Sequence, residues 1–194
     1  MKTGIFGGSF DPFHKGHLAV IRSFLRLYSP RKVFLVPVWQ QPLKNHPPEA
    51  SWKDRVDMIR AGVDDSRVEI SDYEFRSRGV SYTVTTLEHF SGQGTLYLIM
   101  GSDAALSLDR WKEHERILSL ATIVVYPREG ASKREVEVKW GALFQWMETE
   151  EIPVSSSEIR HRLKEGRDCS RHLPRGTWDL IRERGLYQWD QKAN

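Results

Sequence analysis

The 194-residue sequence predicts an α/β fold built on a mostly parallel sheet. Three observations predict it. Strand-like and helix-like patterns alternate along the whole chain. Val33–Val38 (VFLVPV) is a near-continuous apolar run, as a strand buried on both faces requires. The first strand stops at Gly7-Gly8, and a helical pattern follows.

Lys2–Phe6 reads as that first short strand. Leu18–Tyr28 places Leu18, Ile21, Phe24, Leu25 and Tyr28 on one helical face. Trp39–Ala50 carries three prolines and two glutamines and reads as a loop. Ser51 opens the next helix, with Asp54 completing a capping box and Gly62 ending it. Val68–Ser71 is a strand, Tyr82–Phe90 a helix, and Leu96–Met100 a strand ending at Gly101. Trp111–Leu120 reads as a helix and Ala121–Tyr126 as a fifth strand. Glu129–Glu151 admits a helix, a strand or both, and Ile152–Val154 reads as the last strand. Ser155–Glu165 and Thr177–Glu183 are helices ended by Gly166 and Gly185. We read residues 1–194 as one domain, with a helical C-terminal part from about residue 155.

Composition narrows the function classes. With 39% hydrophobic and 28% charged residues, wholesale disorder is excluded. No apolar run approaches the roughly 20 residues of a membrane helix. The N-terminus lacks the apolar stretch and small-residue cleavage site of a secretory signal. A single cysteine, Cys169, excludes an intrachain disulfide framework and fits a reducing cytoplasm. The net charge of +3, with both signs interspersed, falls short of a nucleic-acid binder's footprint. It still allows a few cations to gather round a small anion.

Five segments could carry chemistry. The first is GGSFDPFHKGHL, Gly7 to Leu18, where strand one meets helix one. Ligands of open parallel sheets bind at such strand ends. Gly7 and Gly8 let a phosphate approach the backbone, and the helix start favours negative charge. His14 and His17 are spaced to share a face of the first turn. The string is neither a Walker loop nor a dinucleotide fingerprint. Asp11, His14 and His17 could alternatively be metal ligands, but no further ligand cluster accompanies them.

The second is VSSSEIR, Val154 to Arg160. Ser155 and Glu158 suffice for a capping box, while three hydroxyls, free amides and Arg160 also suit an anion. The third is Lys44 on the loop QQPLKN. The fourth is IMGSDAALSLDRW, residues 99–111. There Asp103 could accept from ribose hydroxyls, or cap a helix, and Trp111 could stack on a flat ring, or pack the core. In the fifth, Tyr82 and Thr83 sit near a helix start suited to a carboxylate.

Together these strings resemble the bacterial nicotinate mononucleotide adenylyltransferases of the nucleotidyltransferase superfamily. HKGH (14–17) and SSSEIR (155–160) are similar to its two signatures. QPLK (41–44), Asp54-Arg55…Met58, SYTVTTL (81–87), the 99–111 segment and Pro127–Gly130 follow the subfamily pattern, as does the ending from Leu173 to Tyr187.

The resemblance implies a Rossmann-like doubly wound parallel sheet with a helical C-terminal appendage. It implies AMP transfer from ATP, with Mg²⁺ carried by the ATP and none held by protein side chains, to nicotinate mononucleotide. The products are nicotinate adenine dinucleotide and pyrophosphate, in cytoplasmic NAD biosynthesis without nucleic acid or membrane. By the same resemblance His14, His17 and Arg160 are catalytic. Gly7, Gly8, Ser9, Phe10, Gly101, Asp103, Ser155 and Ser156 join them in binding ATP. Lys44, Tyr82, Thr83, Trp111, Lys112 and Arg128 bind the mononucleotide.

Four positions depart from the pattern. Leu43 stands where histidine is common, Lys112 where an aromatic is, Glu129 where proline is, and Ser157 where threonine is. Sister transferases on the same fold, a non-catalytic nucleotide sensor and a basic nucleic-acid binder are the competing readings. Oligomeric state and the protonation of the two histidines are not written in the sequence.

Overall fold

The computed structural model describes residues 1–40, 47–149 and 153–189. Among them, six strands form one parallel sheet: β1 (Lys2–Gly8), β2 (Lys32–Pro37), β3 (Val68–Ile70), β4 (Thr95–Gly101), β5 (Ala121–Tyr126) and β6 (Gln145–Trp146). Their spatial order is β3-β2-β1-β4-β5-β6, with every neighbouring pair parallel. The chain builds outward from β1, returns to β1's other side with β4, and builds the opposite way. That reversal leaves a crevice beyond the ends of β1 and β4.

Nine α-helices connect the strands among the described residues. They are α1 (Lys15–Tyr28), α2 (Trp52–Gly62), α3 (Tyr73–Ser77), α4 (Thr83–His89), α5 (Ser102–Leu106), α6 (His114–Leu120), α7 (Lys133–Trp140), α8 (Ser156–Lys164) and α9 (Arg175–Arg184). Strand residues alternate between two apolar layers, following the period-two geometry of a strand. Phe6, Leu35, Ile99 and Val124 pack with Ile21 and Phe24 of α1, Met58 of α2, Ile159 of α8 and Ile181 of α9. Ile5, Val36, Leu98 and Ile123 pack with Leu87 of α4, Ala105 of α5, Ile117 of α6 and Val136 of α7. Burial on both faces is why β2 and β5 read as continuous apolar runs.

Three expectations need correction. The predicted helix Trp111–Leu120 starts only at His114, because Glu113 takes the left-handed conformation (φ 52°) and interrupts it. Trp111 and Lys112 therefore belong to a loop. Pro153 and Val154 form no strand, and Ile152 lies outside the described residues. The last strand is β6, inside the stretch left open between helix and strand, which holds both α7 and β6. Helices α3 and α5 were not foreseen; each spans five residues, too few to show a helical period.

Candidate active site

The ends of β1 and β4 open into a cavity of about 680 Å³. Gly7, Gly8, Ser9 and Phe10 line its β1 side, and Gly101 and Asp103 its β4 side. A Cβ on Gly101 would stand 2.5 Å from Asp103 Oδ1 and 2.9 Å from Arg128 Cδ. Only glycine lets both charged side chains fold against the strand end.

His14 and His17 occupy the first turn of α1. His14 is the N-cap residue, and its Nδ1 accepts from the His17 amide at 3.3 Å. In return His17 Nδ1 accepts from the His14 amide at 3.2 Å. Acceptance at Nδ1 assigns the proton of each neutral ring to Nε2, so each presents one N–H donor there. The rings stack with centroids 3.6 Å apart. His17 also packs against Phe6, Phe10 and Phe13.

Burial lowers the His14 pKa to about 3, helped by the positive charge of Arg128 and by His172. Burial also takes His17 well below its ordinary value, helped by His14 and Arg128. Both rings are therefore neutral near pH 7 in the free protein. Of the two, His17 lines the cavity and His14 does not; it stands behind its neighbour. His14, the buried N-cap residue, stays in contact with the His17 ring through their stacking.

The start of α8 faces the same cavity through Ser155, Ser156, Ser157 and Arg160. All three hydroxyls already have partners, Ser157 Oγ accepting from Arg160 Nη2 at 3.4 Å. Ser155 Oγ accepts from the Glu158 amide at 3.1 Å, and Ser156 Oγ donates to Pro12 O at 3.0 Å. What α8 offers an anion is its first-turn amides and its dipole. Arg160 is held in place: its Nη1 donates to Asp11 O at 2.7 Å and its Nε to Glu49 Oε1 at 3.0 Å.

At the far end, Asp103 and Arg128 pair at 3.3 Å. Asp103 Oδ1 is buried and lacks a partner among the described residues. A buried acceptor left open beside a cavity suits a ligand hydroxyl. Ser102 holds the Arg128 turn, accepting from the Arg128 amide at 3.0 Å and donating to Ala131 O at 2.7 Å. Trp111, Lys112, Tyr82 and Thr83 line the same region, and Lys112 Nζ lies 4.6 Å from the Tyr82 ring centroid. Thr83 is the first residue of α4. Lys44 and Leu43 lie outside the described residues.

Sequence reasoning missed the groups that hold this site together. Arg55 is 2% exposed, and its Nη1 donates to Ser9 O at 2.8 Å and Val38 O at 3.0 Å, tying the loops after β1 and β2. Asp11, also 2% exposed, accepts from the Glu49 and Ala50 amides at 2.8 and 3.0 Å. Tyr187 Oη donates to the same carboxylate at 2.8 Å. These bonds give Asp11 a structural task, so reading it as a metal ligand is not supported. Ser81 Oγ accepts from the Trp39 and Gln40 amides, fixing the segment before α4. Buried Glu74 accepts from Thr86 Oγ1 on the cavity wall. The Asp54-Arg55 pair of the family pattern was the one signal that could have found Arg55.

Comparison with known proteins gives this geometry a family. The cytidylyltransferase-like family model matches residues 5–162. A Clostridium tetani protein named "Probable nicotinate-nucleotide adenylyltransferase" is 33% identical, covering 96% of this chain and 99% of its own. An Aquifex aeolicus protein of the same name is 41% identical over 69% of this chain and 81% of its own. The solved structure of Plasmodium falciparum nicotinic acid mononucleotide adenylyltransferase complexed with NaAD shares the fold, with a TM-score of 0.80. It is 20% identical, covering 97% of this chain and 98% of that one. On the family match and the near full-length relatives, this chain belongs to the cytidylyltransferase-like family and, within it, to the nicotinate-nucleotide adenylyltransferases.

Proposed function

We propose that this chain transfers AMP from ATP to nicotinate mononucleotide, releasing pyrophosphate and forming nicotinate adenine dinucleotide for NAD biosynthesis. The observation that carries the mechanism is one cavity lined by His17, the start of α8 with Arg160, and the Asp103–Trp111–Lys112 region. An oxygen of the mononucleotide's 5′-phosphate attacks the α-phosphorus of ATP. The bond from that phosphorus to the bridging oxygen breaks, and pyrophosphate leaves with the electron pair. Such a displacement asks the protein for alignment and charge stabilisation, with no protein nucleophile.

In this reading His17 donates its Nε2–H to a phosphate oxygen as charge develops. His14 holds that ring in its tautomer and orientation. Arg160 and the first-turn amides of α8 take the leaving phosphates, alongside the backbone of Gly7, Gly8, Ser9 and Phe10. The open Asp103 Oδ1 accepts from a ribose hydroxyl of ATP near Gly101. Trp111 stacks on the pyridine ring, while the Thr83 and Lys112 amides receive its carboxylate. Tyr82 walls that end, and Arg128 and Lys44 face phosphates.

Mg²⁺ would enter with the triphosphate. Among the described residues no group of three or more His, Cys, Asp or Glu side chains could hold it. No helix among the described residues is long and apolar enough to cross a membrane. The buried thiol of Cys169 is free; it supports placing the reaction in a reducing cytoplasm.

Pyrophosphate release with ATP and Mg²⁺ tests the reading, offering nicotinate and nicotinamide mononucleotides separately. A strong preference for the acid is expected. No release with either would sink the assignment, and preference for the amide would overturn the carboxylate pocket.

A further inference from the structure

A second cavity, about 690 Å³, lies between α1 and the start of α9 and, among the described residues, shares no lining residue with the catalytic one. Lys15, Arg22 and Arg26 line it from one side of α1, and Arg175 from the start of α9. Among the described residues no carboxylate lines it. Arg22 and Arg26 stand four residues apart, where like charges repel. Neither forms an ion pair or hydrogen bond among the described residues. Lys15 Nζ reaches only a carbonyl, Arg171 O at 2.9 Å. Arg175 pairs loosely with Asp179, at 3.9 Å, on a side chain that is 96% exposed.

The start of α9 adds donors to these charges. Its cap residue is Pro174, which supplies no side-chain acceptor, and its first turn holds no acidic residue. The Thr177 hydroxyl turns inward to Met58 O at 2.9 Å. A Cβ on Gly176 would stand 2.3 Å from Ala61 O, so this glycine lets α9 start hard against the end of α2. Among the described residues the Arg175 and Gly176 amides have no acceptor, at the positive end of a ten-residue helix.

Ser23 is the observation that turns a basic groove into a site. It is only 5% exposed and lines the cavity. Its hydroxyl has no partner among the described residues, not even the preceding-turn carbonyl that a helical serine commonly takes. An unpartnered hydroxyl on a nearly buried serine, two open amides and exposed guanidiniums around one cavity are the donor set of a phosphate. The volume lies within the range of small-molecule pockets, about 300–1,000 Å³.

We propose that this groove is a second anion site, taking the phosphate or diphosphate group of a small molecule apart from the nucleotides in catalysis. The site is reachable while the catalytic cavity is occupied, because the two share no wall. They share only α1, whose first turn carries His17 and whose next two turns carry Arg22, Ser23 and Arg26.

The test is an amide-resolved NMR titration of the whole chain with inorganic pyrophosphate, and separately with AMP, at constant ionic strength set by chloride. Saturable shifts at the Ser23, Gly176 and Thr177 amides are expected, whatever happens at Gly7 and His17. A response to both probes assigns the site to a single phosphate group; a response to pyrophosphate alone assigns it to a diphosphate. The double variant Arg22→Glu/Arg26→Glu should weaken groove binding at least tenfold while leaving pyrophosphate release intact. Ser23→Ala, which changes neither charge nor backbone, should weaken it several-fold and serves if the double variant misfolds. Shifts confined to the catalytic cavity would overturn the proposal. So would groove shifts that added chloride reproduces, or Ser23→Ala binding as tightly as the unmodified chain.

Discussion

His14 and His17 cap each other's backbone across the first turn of α1, Nδ1 to amide in both directions. A capping box is ordinarily made by a hydroxyl and a carboxylate. Here two imidazoles make it, and the cap fixes the tautomer of the ring that lines the cavity. The same bonds therefore start a helix and orient a donor.

Replacing His17 tests the donor directly. His17→Ala should lower turnover more than tenfold with a smaller change in KM, since the lost interaction strengthens with developing charge. Steady-state kinetics measures it, with circular dichroism confirming the fold. A near-normal rate would remove His17 from the mechanism.

Stability should fall in mild acid. Both histidines have lowered folded pKa values, His14 to about 3, against about 6.5 when unfolded. Between those limits the unfolded chain binds more protons, so their contribution is complete above pH 6.5 and is lost as pH falls. For His14 the slope approaches about 1.4 kcal/mol per pH unit, and His17 acts in the same direction. Urea unfolding from pH 7 to 4.5 measures it. His14→Gln should flatten the curve, and an unchanged slope would count against a buried, neutral His14.

Trp111 sits on the loop before α6, where it lines the cavity without being fully buried. Trp111→Ala should raise the KM for nicotinate mononucleotide several-fold more than that for ATP. Equal losses for both substrates would assign Trp111 to packing.

Arg55 joins two loops through carbonyls, with its charge buried among them. Arg55→Ala should cost about 2–3 kcal/mol in urea unfolding, the scale for losing hydrogen bonds from a charged donor. Because the loop after β1 carries Ser9, KM for ATP should rise as well. Loss of stability with unchanged KM would confine Arg55 to the fold.

The strands were legible wherever burial on both faces wrote an apolar run, as at Val33–Val38 and Ala121–Tyr126. Two-residue β6, Gln145–Trp146, writes none, and Ile-Pro-Val at 152–154 imitated it. The residues gathered around the cavity were legible because their motifs are local strings at strand ends and helix starts. Asp11, Arg55, Ser81 and Ser102 were not. Their partners lie far along the chain, and no local pattern announces a side chain that binds a distant backbone. Trp111 and Lys112 were read into a helix because a left-handed residue such as Glu113 has no signature when it is not glycine or asparagine.

Asp11 and Tyr187 are 176 residues apart and share a buried hydrogen bond. A ribosome delivers the first of them early and the second near the end of its work. Until Tyr187 emerges, the loop leading to His14 and His17 lacks one of its buried donors. The nascent chain thus carries its histidine motif long before this bond can form. A proteolytic cut just before Tyr187 would return the finished enzyme to that same unfinished condition.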